Sequence, residues 1–525
     1  MKNRKFNIWL PLIISLAMIG GIFLGYKMRE TIPNNSFFFL EKRKPIEQIL
    51  DIINAKYVDS VNTQDLADTA IMAILSKLDP HSVYIPASKL EQVNDEIIGS
   101  FYGIGIEFNI YDDTLNVINV LGDGPAFKAG LLTGDKILQA GDSLMASKNR
   151  SANDVRNILK GNRGSLIKLK VLRGNQIKLI EISRDQVPVS SIDAAYLIKP
   201  EVGYIRINRF STQTYREFMP ALDSLNKKGM KNLILDLRDN GGGVLEEAVE
   251  IADEFLSGDK LITFTEGIHS PKKEYRCRRL GQFETGGLMV LVNEGTASAS
   301  EILAGALQDW DRATIIGRRT FGKGLVQEQF NLNDNSALRL TVARYFTPLG
   351  RSIQRSYANG KKAYYSEIDS RFLLKDSLII ETDSGRKFKT PSGKVLFGED
   401  GISPDVRVGF DTTQMGLKVY DIFSRGLVKD FGYKYSVSHQ ALLDNYKTPS
   451  LFKNNFSIDE GAWDYFKMML STDSIDVTYL KPQEKQFLER SLKLSVARQK
   501  WQNEGYFEVL NSDDDVVLRA LSLIK

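Results

Sequence analysis

The spacing of apolar positions changes character several times along the chain. Residues 8–26, from Ile8 to Tyr26, carry no charge and follow Lys2, Arg4 and Lys5. These nineteen residues would span about 28 Å as a helix, close to a hydrocarbon core of roughly 30 Å. The basic start predicts an inside N-terminus and an exported body. Residues 1–29 are therefore expected to be an uncleaved signal anchor, a single-pass inner-membrane helix with the rest of the chain in the periplasm. The alternative is a cleaved signal peptide and a soluble periplasmic protein; no clear A-x-A site or lipobox cysteine is present. Residues 30–95 open on a polar linker. Pro45 to Tyr57 and Asp65 to Leu78 then repeat apolar residues at helical spacing, as in Ile46, Ile49, Leu50 and Ile53.

Beyond Tyr102 the pattern alternates as in strands, broken by a short helical stretch from Ser151 to Leu159. From 186 onward strands and helices take turns. Val202 to Ile207, Leu233 to Leu237, Leu288 to Val292 and Ala313 to Ile316 read as buried strands, with helices at Thr212 to Asn226 and Val244 to Leu256. Strands follow at Leu325 to Leu332 and Leu338 to Phe346. This order predicts an α/β sheet with its site at the strand ends. Residues 409–525 show helical spacing at Ala462 to Leu470 and Glu484 to Gln502, with a turn at Ser512 to Asp515 before a last helix.

Composition adds limits. The 525 residues suggest about three domains. A net charge of +4 from 69 basic and 65 acidic residues gives no support for nucleic-acid binding. Cys277 is the single cysteine, which excludes an intramolecular disulfide and a cysteine-cluster metal site. HExxH and EF-hand patterns are absent, so no metal and no cofactor are implied.

The chemistry concentrates between Leu288 and Gln329. Ser298 stands between a strand and the apolar helical stretch Glu301 to Leu307, at a corner where free backbone N–H groups converge. Lys323 stands between Gly322 and Gly324. A serine attacks an amide only if a base takes its proton. The three histidines, His81, His269 and His439, all lie outside this stretch. Lysine can serve if burial lowers its pKa from about 10.4 to roughly 7–8, a cost of roughly 4 kcal/mol. Phe321, Leu325 and Val326 flank Lys323 with apolar surface. Taken singly, Ser298 reads as a helix N-cap and the lysine loop as an exposed turn. A phosphate-binding P-loop is excluded because Gly324 follows Lys323.

Thr296-Ala297-Ser298-Ala299-Ser300-Glu301, with Thr320-Phe321-Gly322-Lys323-Gly324 and Gln327, resembles the signature of the C-terminal processing peptidases, or tail-specific proteases. The resemblance implies Ser298 as nucleophile, Lys323 as base and Gln327 as the lysine's support. Asp236-Leu237-Arg238-Asp239-Asn240-Gly241-Gly242-Gly243 resembles a further family motif. It implies an oxyanion hole from the backbone of Gly243, with Gly242 as neighbour, and of Ala299. Asp236, Arg238 and Asp239 are read as structural ion pairs. Leu78 to Tyr84 resembles a family motif that ends the N-terminal helical part, with His81 as a structural histidine in a proline turn, and Asp400 to Asp405 resembles the motif that closes the family's catalytic domain.

Residues 97–185 resemble a PDZ domain through Gly103-Ile104-Gly105-Ile106, Gly124-Pro125-Ala126, Ala129-Gly130-Leu131 and Gly134 to Leu138. Such a domain holds a terminal carboxylate on freed N–H groups and adds the bound tail to a sheet edge. Gly103, Ile104, Gly105, Ile106 and Val155 are the expected peptide-binding residues, with an apolar final residue preferred.

The expected architecture is α/β: a crotonase/Clp-like Ser/Lys protease core (186–408) with an inserted β-rich PDZ domain (97–185). A helical N-terminal region (30–95) and a mostly helical C-terminal appendage of unknown role (409–525) complete it. The expected activity is a serine endopeptidase acting on protein or peptide substrates with free C-termini. The alternative is a non-catalytic binding scaffold on the same fold. Helices of the N-terminal kind help dimerise some family members, which puts a homodimer among the expectations.

Overall fold

The computed structural model describes residues 4–31, 45–111, 113–145, 150–373, 386–409, 416–475, 477 and 479–524. The chain divides into two compact units, Met1–Ala73 and Ile74–Lys525. The first holds helices Arg4–Thr31 and Pro45–Lys56 and most of Thr63–Leu75. Arg4–Thr31 includes Pro11, and among the described residues no helix is long and apolar enough to cross a membrane. The single-pass anchor over 1–29 is therefore not supported, and neither is the homodimer.

The second unit is built on a six-stranded sheet. Its order is Ile192–Lys199, Val202–Ile207, Asn232–Asp236, Gly287–Val292, Thr314–Gly317 and Val406–Arg407. The first pair is antiparallel and the rest are parallel. One row of the register runs Ile205, Leu235, Val290, Ile315, and all four are fully buried. These side chains pack with the helices Thr214–Lys227, Leu245–Asp253 and Ala299–Asp309. The alternate row, including Tyr204, Ile234, Leu291 and Ile316, faces the other way and meets Phe507, Val516, Val517 and Ala520 from the end of the chain. Strands buried on both faces must be apolar throughout, which is why Leu233 to Leu237 shows no alternation in its apolar part.

A second sheet joins Val83–Ile85, Ala337–Phe346, Leu261–Gly267 and Ser270–Arg276, with Leu325–Asn331 paired to Ala337–Phe346. A third sheet forms the segment that resembles a PDZ domain. It runs Ile106–Tyr111, Thr114–Val120, Lys136–Ala140, Leu166–Arg173, Gln176–Ser183, so Ile106–Tyr111 is an edge strand. Helix Ala152–Leu159 is closed by a capping box between Ser151 and Asp154.

The C-terminal region is a helical bundle with its own core around Phe431, Phe452, Phe466 and Leu488. The helical stretches expected at 462–470 and 484–502 lie within Glu460–Thr472 and Pro482–Leu510. The longer helix breaks at Trp501 and Gln502, whose backbone angles are non-helical. Asp514 caps the last helix by accepting from the Val517 amide at 3.0 Å.

Candidate active site

The strand Gly287–Val292 ends in a turn pinned by Thr296. Its hydroxyl donates to the Leu237 carbonyl at 2.8 Å and accepts from the Asn293 amide at 3.0 Å. The chain then reaches Ser298 at φ 57°, ψ −117°. A non-glycine residue is rarely found there, and the strain is held by its surroundings. Ser298 opens the helix Ala299–Asp309, every residue of which is buried.

Glu301 is what holds the corner. Its fully buried carboxylate accepts from the Ser298 and Lys323 amides through Oε2, at 2.8 and 2.9 Å. Through Oε1 it accepts from the Gly322 amide at 2.8 Å and the Thr320 hydroxyl at 2.5 Å. Burial outweighs these donors and pushes its pKa up to about 7. Tyr345 completes the tie: its O–H is shared between the carbonyls of Ser298, at 3.0 Å, and Lys323. One buried carboxylate thus binds the N–H groups of both residues, and one buried phenol binds their carbonyls.

The lysine loop is fixed from behind as well. Thr320 accepts from the Ile402 amide at 2.7 Å, which ties in the segment Asp400 to Asp405. Gly322 sits at φ 86°, where an added Cβ would come within 3.1 Å of the Gly401 nitrogen and 3.0 Å of Arg355. Lys323 Nζ donates to Gln327 Oε1 at 3.0 Å, and Gln327 Nε2 donates to the His81 carbonyl at 2.5 Å. Burial lowers the Lys323 pKa, with Arg339 adding repulsion and Glu301 and Asp79 opposing it. Among the described residues no hydrogen bond joins Ser298 Oγ to Lys323 Nζ.

His81 enters through its backbone. Asp79 accepts from the His81 and Ser82 amides, both at 2.8 Å, and so shapes the turn that presents the His81 carbonyl to Gln327. The imidazole lies at 3.1 Å from the Tyr364 hydroxyl. Burial, then the nearby Lys323 charge, push its pKa down to about 4.

The glycine turn meets Ser298 at Gly242, where an added Cβ would fall 2.8 Å from Ser298 Cβ and 2.9 Å from the Ala299 nitrogen. The Gly242 N–H is already spent on Asn240 Oδ1 at 2.9 Å. Gly243, at φ 142°, packs on Phe210. Among the described residues the N–H groups of Gly243 and Ala299 have no partner. Asp236 is fully buried between Arg206 and Arg238, at 3.0 and 2.7 Å, and Arg238 also pairs with Asp514 at 2.9 Å. Asp239 accepts from Asn293 at 2.7 Å.

In the third sheet Ile104 and Val155 lie in the core, while Ile106 is half-buried on the open edge strand. The Ile104 carbonyl accepts from the Ala126 amide at 2.8 Å and that of Gly105 from Leu121 at 3.1 Å. Gly103 pairs with Asp185. The N–H groups of Ile104 and Gly105 have no partner among the described residues.

Sequence reasoning gave no role to Glu301, Tyr345 or the His81 carbonyl. The Ser298–Glu301 spacing of a capping box was a readable signal for the first. Tyr345 stands 47 residues from Ser298 and His81 stands 246 from Gln327, with no local signal.

Comparison with known proteins bears on the same residues. The model of peptidase family S41 matches residues 201–360, a PDZ domain matches 103–183, and a family of unknown function matches 419–502. A carboxy-terminal-processing protease of Bartonella bacilliformis is 34% identical over 350 residues, 65% of this chain and 80% of the relative. A probable CtpA-like serine protease of Staphylococcus epidermidis is 34% identical over 312 residues, 59% of this chain and 63% of the relative, so the chain spans a little under two thirds of it. The structure of the photosystem II D1 C-terminal processing protease shares 27% identity, covering 70% of this chain and 88% of that one, with a TM-score of 0.35. The peptidase match lies over the middle strands of the sheet, the strained serine corner and the lysine loop, and with the Bartonella relative 34% identical and covered over 80% of its length, the chain belongs to the S41 serine peptidases, the family of the carboxy-terminal-processing proteases.

Proposed function

We propose that the chain is an endopeptidase that recognises the free C-terminal tail of its substrate and cleaves by a Ser298–Lys323 dyad. The observation that carries this is the linked chain Lys323–Gln327–His81 beside the corner at Ser298, with Glu301 and Tyr345 binding the two backbones together. A buried lysine with a lowered pKa is neutral in a larger fraction near neutrality than a solvated one. Neutral Lys323 takes the Ser298 proton once Nζ approaches Oγ, as bound substrate favours when it excludes water. The hydroxyl attacks the scissile carbonyl, an acyl-enzyme forms, the amine leaves with a proton from Lys323, and water completes the cycle. The unpartnered N–H groups of Gly243 and Ala299 receive the developing oxyanion, each at a gain of a few kcal/mol. Gly242 serves by lacking a side chain, not as a donor.

The PDZ domain takes the substrate tail as an added strand on Ile106–Tyr111, with the carboxylate on the freed amides of Ile104 and Gly105. Ile106 lines the groove and favours an apolar last residue. The Ile104 and Val155 side chains support it from the core. The working compartment is extracytoplasmic, as the basic residues ahead of the apolar run 8–26 suggest; cell fractionation checks it.

The test is cleavage by the Ser298→Ala protein of a peptide with a free apolar tail. The expected result is loss of cleavage with tail binding intact. Cleavage at the wild-type rate removes Ser298 from the chemistry.

A further inference from the structure

We propose that Tyr345 is a positioning residue for the reaction, setting the separation of Ser298 and Lys323. This rests on the dyad reading above. Tyr345 lies on the strand Ala337–Phe346 and is 1% exposed. Its one hydroxyl is shared between two carbonyl oxygens, those of the nucleophile and the base. No other side-chain hydroxyl bonds both residues among the described residues. Glu301 binds both on the amide side, so the two tethers hold the peptide units on either side of the same two residues. The strand carrying Tyr345 also pairs with Leu325–Asn331, which begins two residues after Lys323, and the Tyr345 amide donates to the Gly324 carbonyl at 3.1 Å. Tyr345 is therefore rigid with respect to the lysine loop, and its hydroxyl carries that rigidity across to the serine corner. Losing the hydroxyl frees the corner to drift by a fraction of an ångström. Displacements of about 1 Å can cost 10²-fold in rate.

The test is Tyr345→Phe, which keeps the ring and removes one oxygen. The expected result is a kcat about 10- to 100-fold lower, with KM for a tail peptide within about twofold and the folded fraction unchanged by circular dichroism. A purely structural role would lower activity only in step with the folded fraction and would leave kcat per folded molecule unchanged. Wild-type kcat, or a loss matched by unfolding, overturns the proposal. Should Ser298→Ala remain active, the dyad itself falls, which is a separate outcome.

A different set of contacts carries a second inference: we infer that the C-terminal helical region, for most of which only a family of unknown function is matched, braces the PDZ domain against the protease sheet. On the PDZ side Tyr111 donates to Asp430 at 2.7 Å and stacks on Tyr433 at 5.5 Å and 14°. Gln499 Nε2 reaches the Ile118 carbonyl. On the core side Asn503 donates to Asp193 at 2.6 Å, Asn511 donates to Tyr196 at 2.9 Å and Asp514 pairs with Arg238 at 2.9 Å. Gln499 and Asn503 belong to one helix, on either side of its break at Trp501 and Gln502. The break lets one helix lie along two bodies.

Spin labels at Asn175→Cys on the PDZ domain and Lys228→Cys on the core, both exposed, report the distance between them; the native Cys277 is buried. The full chain should give one narrow distribution, broadened by Tyr433→Ala with Asp430→Ala, while tail-peptide affinity stays within about twofold. Distributions of equal width with and without the two substitutions overturn the inference.

Discussion

Replacing Glu301 by Gln separates rate from stability in a way that the geometry fixes. The carboxylate accepts four hydrogen bonds, two on each oxygen. An amide can keep two of them and turns an NH2 group toward the other two donors. Each donor left unpaired in the interior costs about 1–3 kcal/mol, so the loss is roughly 2–6 kcal/mol. Against this, burial raises the pKa from 4.5 to about 7. At about 1.36 kcal/mol per unit, holding the charge above pH 7 costs about 3 kcal/mol, which glutamine avoids. The net change at pH 8 then lies between about 1 kcal/mol of stabilisation and about 3 kcal/mol of destabilisation, and Tm moves by only a few degrees. The rate has no such compensation, because half of the tie between the corner and the loop is gone; kcat should fall by about 10² or more. The pH dependence gives a second sign. A carboxyl with a raised native pKa stabilises fully below pH 4.5, and that stability is lost as pH rises through about 7. Wild type should therefore lose Tm between pH 5 and 8, and the Glu301→Gln protein should lose less. Differential scanning fluorimetry at both pH values, with steady-state peptide cleavage, measures both effects. A variant with kcat within about threefold of wild type would refute the reasoning.

Other consequences follow from the same contacts. Burial holds the Lys323 pKa below the ordinary lysine value, so on the proposed dyad kcat/KM should rise with pH along an acid limb and Lys323→Arg should be inactive; a pH–rate profile flat from pH 5 to 9 would contradict the proposal. Gln327→Ala removes the acceptor that orients Nζ and should lower kcat about 10- to 100-fold with KM little changed, as read in initial-rate measurements. Ile106→Asp on the open edge strand should reduce kcat/KM for a free-tailed peptide toward that for its amidated counterpart, which it leaves unchanged; equal loss for both would point to misfolding instead.

Much of this was legible in the chain because it is written locally. The apolar runs of the buried strands, the glycine turn and the Ser298 and Lys323 motifs each fit within about ten residues. Three things were not. The tail's role depends on Phe507, Val516 and Val517 covering a sheet face whose strands begin some 300 residues earlier, as the Tyr196–Phe507 bond across 311 residues shows. The difference between the two glycine amides depends on Asn240, whose side chain accepts from Gly242, while the Gly243 amide has no partner among the described residues. The groove residues divide the same way: Ile104 and Val155 point into the core, a choice that register makes and composition does not. The apolar run at the start suggested a membrane anchor by length and charge alone, and the described helix gives that no support.

The central claim is that Lys323 activates Ser298. Rapid acid quenching of wild-type enzyme during turnover of a slow ester substrate, followed by peptide mapping, tests it directly. An acyl group on the peptide containing Ser298, absent in Lys323→Ala protein of equal tail affinity, is the predicted result. Acylation elsewhere, or equal acylation of Ser298 without Lys323, would contradict it.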